Sequence, residues 1–449
     1  MRRHRLVPIV WSAAIVVLLT GRPSAAQQQP DPEAEGGPVA ATEPEISAGT
    51  QTQIDELQRR IDVLAAELEK LRSGEAPEVE VTEERRRALG LAPSAAATYR
   101  RATEGVSFAG YGEMLVENFA SENEAGRGGA PTTRLDFLRA VLYAGYRFND
   151  KFLFNSEIEV EHANEIFVEF AYVDYLATEN LTLRGGMLLL PLGLTNEFHE
   201  PTVFIGAKRP ETEQRIIPTT WRENGAGVLG SAGIVNFRAY VTNGLRGAAF
   251  TSAGLRGGRQ RGSNALAANL ALSGRIDVTL MPGVFGGIGF YNGGSGQEQV
   301  LLDGARLDVG TTILEGHAQA QLRGWDLRAL FAEASIDEAA AVSRALRLPV
   351  NTPLAETMRG GYLQAGYNLL SQTASELAIT PYVRYERVNT QHRIPAGFTR
   401  DLTRDGTFRT LGVEVKPIPN VVIKTDYQWV TNAADTGRNQ FNINLGYAF

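Results

Sequence analysis

The last ten residues, Gln440 to Phe449, constrain the fold more than any other stretch of this chain. Phe441, Ile443, Leu445, Tyr447 and Phe449 fall on one face of an extended segment, and Asn442, Asn444, Gly446 and Ala448 on the other. Side chains alternate faces along a strand with a period of two. An apolar face that runs to the terminal Phe449 suits lipid on one side and water on the other, as in a transmembrane β-barrel.

Two further segments repeat the pattern. In Val421 to Trp429 the odd positions are apolar, while Lys424, Asp426 and Gln428 share the other face. In Phe152 to Glu161, Phe152, Phe154, Ile158 and Val160 oppose Asn155, Glu157, Glu159 and Glu161. A charge facing lipid near the midplane costs about 2–4 kcal/mol for Arg or Lys and somewhat less for Asp or Glu, so three glutamates on one face demand a wet interior. From Gly105 onward, candidate strands are joined by alternating short and long connections. The short ones are Asn149-Asp150, Glu179-Asn180, Ala232-Gly233, Arg323-Gly324 and Pro419-Asn420. The long ones are Ser121 to Thr132, Pro191 to Asn224, Leu245 to Ser263, Asp337 to Glu356 and Gln391 to Asp405. Tight turns at one end and long loops at the other are what an up-and-down barrel requires, here with about sixteen strands.

The other end of the chain reads as export machinery. Met1 to Arg5 is basic, Leu6 to Thr20 is apolar, and Ser24-Ala25-Ala26 supplies small residues before Gln27, which predicts a signal peptide over 1–26. The apolar run of about 15 residues is shorter than the roughly 20 a spanning helix needs. Residues 27–50, rich in Gln, Pro, Glu, Ala and Gly, predict disorder. Ile54, Leu57, Ile61, Leu64, Leu68 and Leu71 then recur at spacings of three and four, predicting a coiled-coil helix over 51–72. Ile and Leu in these positions favour two strands. Residues 73–104 read as a linker whose Glu83 to Arg87 form a solvated charged patch, and 105–449 as the barrel. The chain has no cysteine, hence no disulfides. A net charge of −7 and the absence of a basic stripe with interleaved aromatics exclude a general nucleic-acid binder. No residue pattern calls for a cofactor, and Glu161-His162 and Glu197-x-His199-Glu200 lack metal-ligand spacing.

The barrel part resembles trimeric outer-membrane porins, and among them the phosphate-selective porin O and P family. The residues that carry the resemblance are Tyr172-Val173-Asp174-Tyr175, Leu181 to Met187, Pro191-Leu192-Gly193-Leu194 and the closing Gly446 to Phe449. The resemblance implies a bacterial outer-membrane location, a homotrimer in lipid, and a constricting loop in the lumen of a diffusion channel for small ions and hydrophilic solutes. Pro191 to Asn224 follows the fifth predicted strand and carries Glu197, His199, Glu200, Lys208, Arg209, Glu211, Glu213, Arg215 and Arg222. Opposed charges in a narrow passage orient and sort ions. Arg139, Arg147 and Arg184 fall on the lumen parity of the wall, opposed by Glu157, Glu159, Glu161 and Glu169. These mixed signs fit phosphate specificity poorly. A structural barrel tethered to the cell wall or to other subunits through residues 51–72 is the competing expectation.

Overall fold

The computed structural model describes residues 57–60, 78–129 and 132–449. The signal peptide, the disordered segment and most of the coiled-coil segment lie outside these residues; 57–60 are helical.

Sixteen antiparallel strands close into a barrel, the architecture that the alternating pattern predicts. They are β1 Gly105–Phe119, β2 Thr133–Arg147, β3 Phe152–Glu161, β4 Glu165–Thr178, β5 Leu181–Leu189, β6 Arg222–Ala232, β7 Val235–Asn243 and β8 Leu270–Met281. There follow β9 Val284–Gly294, β10 Gly310–Leu322, β11 Trp325–Ile336, β12 Thr357–Tyr367, β13 Ala378–Arg393, β14 Asp405–Ile418, β15 Val421–Asn432 and β16 Gln440–Ala448. Each strand pairs with its sequence neighbours, and β16 closes the ring on β1, from Phe119 opposite Gln440 to Tyr111 opposite Ala448. Phe449 completes the seam: its N–H donates to the Gly110 carbonyl (2.8 Å), and its own carbonyl accepts from Gly110 N (2.9 Å).

The two faces fall as the parity requires. Leu135, Leu280 and Ile288 are exposed outward, whereas Lys424 and Asn444 are wholly buried inside. On β16, Phe441 and Leu445 face out while Asn442 and Asn444 face in. The base of the barrel, where β1 begins and β16 ends, carries tight turns such as 179–180, 323–324 and 419–420; its longest connection is 368–377. The top carries loops 120–132, 190–221, 244–269, 295–309, 337–356 and 394–404, with short connections at 162–164 and 433–439. The alternation of short and long is therefore broken at 162–164. Four of the top loops share an apolar core in which Leu190, Ile216, Ile217 and Trp221 meet Leu245, Phe250 and Leu255, with Val300, Val309, Val342 and Leu354 beside them.

Residues 78–101 are not a linker. They form a strap inside the base of the barrel. Helix α1 (Glu83–Ala88) starts on Thr82, whose side chain accepts from Arg85 N. A 3-10 turn (Ser94–Ala96) leads into α2 (Ala97–Arg100). The strap closes on itself where Val79 N donates to the Arg100 carbonyl (2.6 Å). Leu89, Leu91, Ala95, Ala96 and Tyr99 are buried against Tyr143, Leu153, Phe170, Tyr172 and Tyr240 of the wall. The expected solvated patch is corrected too: Arg85, Arg86 and Arg87 are half-buried, and the Arg87 guanidinium lies 4.5 Å from the Phe285 ring centre. The linker reading failed because Ala-rich sequence without periodicity hides an apolar surface that needs a concave partner.

Candidate functional site

The segment between β5 and β6 leaves the wall at Leu190 and rejoins it at Arg222. Its neck is tied by Asn196, whose amide donates to the carbonyls of Leu190 (2.7 Å) and Trp221 (3.0 Å) while its oxygen accepts from Trp221 N (2.7 Å). Inside the segment, Glu213 accepts from Leu194 N, Thr195 N and Thr195 Oγ1, and from Tyr362 OH of β12. Four bonds to one carboxylate compensate a charge that burial alone would penalise heavily.

Inward-facing charges of the wall hold the rest. Lys424 Nζ donates to the Phe204 carbonyl (2.7 Å), Lys416 Nζ to Thr202 (2.8 Å), Arg328 to Val203 (2.9 Å), Arg384 to Lys208 (3.2 Å) and Arg139 to His199 (2.9 Å). Acids of the wall take N–H groups: Asp426 accepts from Ala207 N (2.9 Å), and Glu386 from Glu211 N (2.9 Å) and Thr212 N. The contacts come from β2, β11, β13, β14 and β15, so the segment 190–221 lies across the interior. Basic side chains of the wall thus serve as fasteners for loop carbonyls rather than as a free ladder of charge.

Two cavities lie on opposite sides of residues 203–207. The larger, about 660 Å³, opens towards the base and is bounded by Arg86 and Arg87 of the strap, by Val203 and Ile205, and by Arg328 and Lys416. The smaller, about 210 Å³, opens towards the top between Glu113, Arg139, Phe204, Lys208, Arg209 and Arg256. Around this upper cavity several arginines converge on Pro218 to Thr220 with only neutral partners. Arg209 donates to Thr220 Oγ1 (3.2 Å), Arg256 to the Thr219 carbonyl, and Arg259 to the carbonyls of Pro218 (3.1 Å) and Thr220. Burial, then the neighbouring Arg139, pulls the Arg209 guanidinium down to about 10. Burial, then Arg256 and Arg261, pulls Arg259 down to about 8. In both, loss of hydration on burial is the larger cause and the neighbouring arginines the smaller.

The residues singled out from sequence fall into three groups. Lys208, Arg209, Arg139 and Glu161 border the upper cavity; Lys208 pairs with Glu117 (2.8 Å) and Arg139 with Glu113 (Nε to Oε1, 2.7 Å) and Glu159 (3.8 Å). Arg222 belongs to β6 rather than to the loop, and pairs with Glu169 (3.7 Å). A second group meets beneath the strap. There Glu197 faces Arg238 (3.4 Å), and Glu200 accepts from Ser94 N (2.7 Å). His199 contacts Tyr111 OH (2.8 Å), which also reaches Glu157 (3.3 Å), and Arg184 is paired with Asp174 (2.8 Å). Burial drives His199 down to about 3, so it is neutral, and pushes Glu200 up to about 7. The third group stands apart: Arg147 sits at the basal rim with Asp150 (3.5 Å), and Arg215 pairs with Glu211 (2.7 Å) on the short helix α3 (Glu211–Arg215). The sequence reading missed Glu113, Glu386, Arg328 and Arg384, which strand parity alone would have found. It also missed Arg256 and Arg259, signalled by the run Arg256 to Arg261.

No family model matches the chain. Among solved structures it is similar to the anion-selective porin from Comamonas acidovorans, with a TM-score of 0.51 and 10% identity over 77% of this chain and 100% of that one. It is also similar to a loop-deletion mutant of OmpT, an outer membrane protein of Vibrio cholerae (TM-score 0.50, 12% identity, 77% and 100% covered). OprB of Pseudomonas putida gives a TM-score of 0.50 at 8% identity, with 77% and 94% covered. At such identities the likeness is one of fold: a closed barrel of the porin type. An uncharacterized protein of Aquifex aeolicus (strain VF5) shares 36% of its residues over 356 positions, 75% of this chain and 78% of its own length, and the chain belongs to the same family as that protein.

Proposed function

We propose that this protein is a bacterial outer-membrane porin, a water-filled channel through which small ions and hydrophilic solutes diffuse passively, with anions favoured by charges on the segment 190–221. The observation that carries the reading is the placement of that segment across the barrel between two cavities, with Lys208 and Arg209 beside Arg256 at the upper one. In a confined passage with low-dielectric walls a cluster of basic groups raises the local concentration of anions. Phosphate is one anion to be tried, because the short motifs cited above resemble the phosphate-selective porins. The channel works as a homotrimer, with the segment N-terminal to the barrel in the periplasm. The barrel wall supplies no reaction chemistry in this reading; its charges fasten and sort.

Purified protein in planar bilayers should give stepwise conductance, and reversal potentials in a salt gradient should indicate anion preference. Lys208→Glu combined with Arg209→Glu should move the permeability ratio towards cations. An unchanged ratio would mean that these two residues do not line the narrowest point.

A further inference from the structure

We infer that the strap, residues 78–101, is a displaceable stopper of the barrel's base, and that its withdrawal opens the channel to a higher-conductance state. The inference rests on the channel reading above and concerns the regulation of that same passage.

Three observations carry it. The strap makes no strand pairing with the wall, and its own main chain is closed by Val79 N on the Arg100 carbonyl. It is a self-contained piece. Its polar attachments are few: Tyr143 OH donates to Thr98 Oγ1 (2.8 Å), Tyr99 OH to Asp174, Arg238 to the Arg87 carbonyl, Ser94 N to Glu200, and Arg101 at its end to the Val106 carbonyl (2.8 Å).

Beneath it, the wall sets polar groups among its apolar ones. Asn155 Nδ2, Tyr240 OH and Ser107 Oγ are buried with no protein partner among the described residues. A surface meant for permanent apolar contact would not present such groups, because an unmet buried donor costs free energy that water would return. Withdrawal of the strap hydrates them.

The third observation is where the strap joins the lumen. Arg86 and Arg87 border the basal cavity, and Glu200, which holds Ser94, belongs to the segment 190–221. Displacing the strap therefore both widens that cavity and frees one anchor of the sorting segment. Gly145 marks the seat: a Cβ there would collide with the Thr98 side chain, so the wall is recessed to receive the strap.

The test uses the full chain, which has no native cysteine. In Thr98→Cys with Gly145→Cys, the Cβ positions lie 3.0 Å apart, near the roughly 3.5–4.5 Å of a disulfide. Gly145→Leu, conversely, forces the strap from its seat. The oxidised pair should hold single channels at the lower level, and reduction should restore wild-type transitions. Gly145→Leu should hold them at a level about twofold higher or more, since conductance follows the narrowest section. Heat-modifiable gel mobility verifies that each barrel is folded. Equal conductance in the oxidised pair, the wild type and Gly145→Leu would overturn the stopper while leaving the channel intact. Silence in all three would instead remove the channel reading on which it rests.

Discussion

Among the described residues, two pieces of non-sheet chain make contacts inside this barrel, and they are held by opposite means. The segment 190–221 is fastened by charges from five strands, among them Lys424 on Phe204, Arg328 on Val203 and Glu386 on Glu211. The strap 78–101 rests on apolar contact through Leu89, Leu91 and Tyr99, with five polar attachments. In the channel proposed above, the firmly fastened element would set the constriction and the loosely seated one would open the base. Directional, charge-assisted bonds fix geometry, whereas apolar contact tolerates departure and return.

The contrast breaks most readily at a fastener. Arg139→Ala leaves Glu113 buried without its cation and should cost about 3–5 kcal/mol, read as a lower temperature for the shift between folded and unfolded gel mobility. A value near zero would mean that wall charges do not hold the interior. In the strap, Leu91→Asp should expel the segment rather than unfold the sheet, changing barrel stability by about 1 kcal/mol or less while conductance rises. A stability loss as large as that of Arg139→Ala would erase the difference between the two pieces. Smaller still is the effect of pH. Glu200, raised to about 7 by burial, is largely ionised at pH 8 and gains a proton by pH 5, while His199, held near 3, stays neutral throughout. Arg86 and Arg139 face Glu200, so its neutralisation leaves the interior more positive by one charge. Anion preference should rise modestly as pH falls through 7, and Glu200→Gln should show the low-pH preference at both values.

How much of this could be read from the residues differs for the same two pieces. Strand parity announces itself one residue at a time. Asn442 and Asn444 against Phe441 and Leu445 suffice to fix which face is wet, and the closed barrel follows. The long connection after the fifth strand, with Lys208 and Arg209, was visible as a charged interruption. Its bonds were not, because Arg139 or Arg328 reads equally as pore lining and as fastener until the loop's carbonyls are placed. The strap escaped altogether. Ala88, Leu89, Leu91, Ala95 and Ala96 carry no repeat, and their apolar surface has meaning only against Tyr143, Leu153 and Tyr172 from distant strands. Sequence periodicity records what an element shows to its whole surroundings, not a seat made by one partner.

The most direct measurement is the single-channel current of the purified full chain in a planar bilayer under a salt gradient. The account predicts discrete steps whose reversal potential favours anions. A folded, membrane-inserted barrel that passes no current, with the strap seated or expelled by Gly145→Leu, would contradict it.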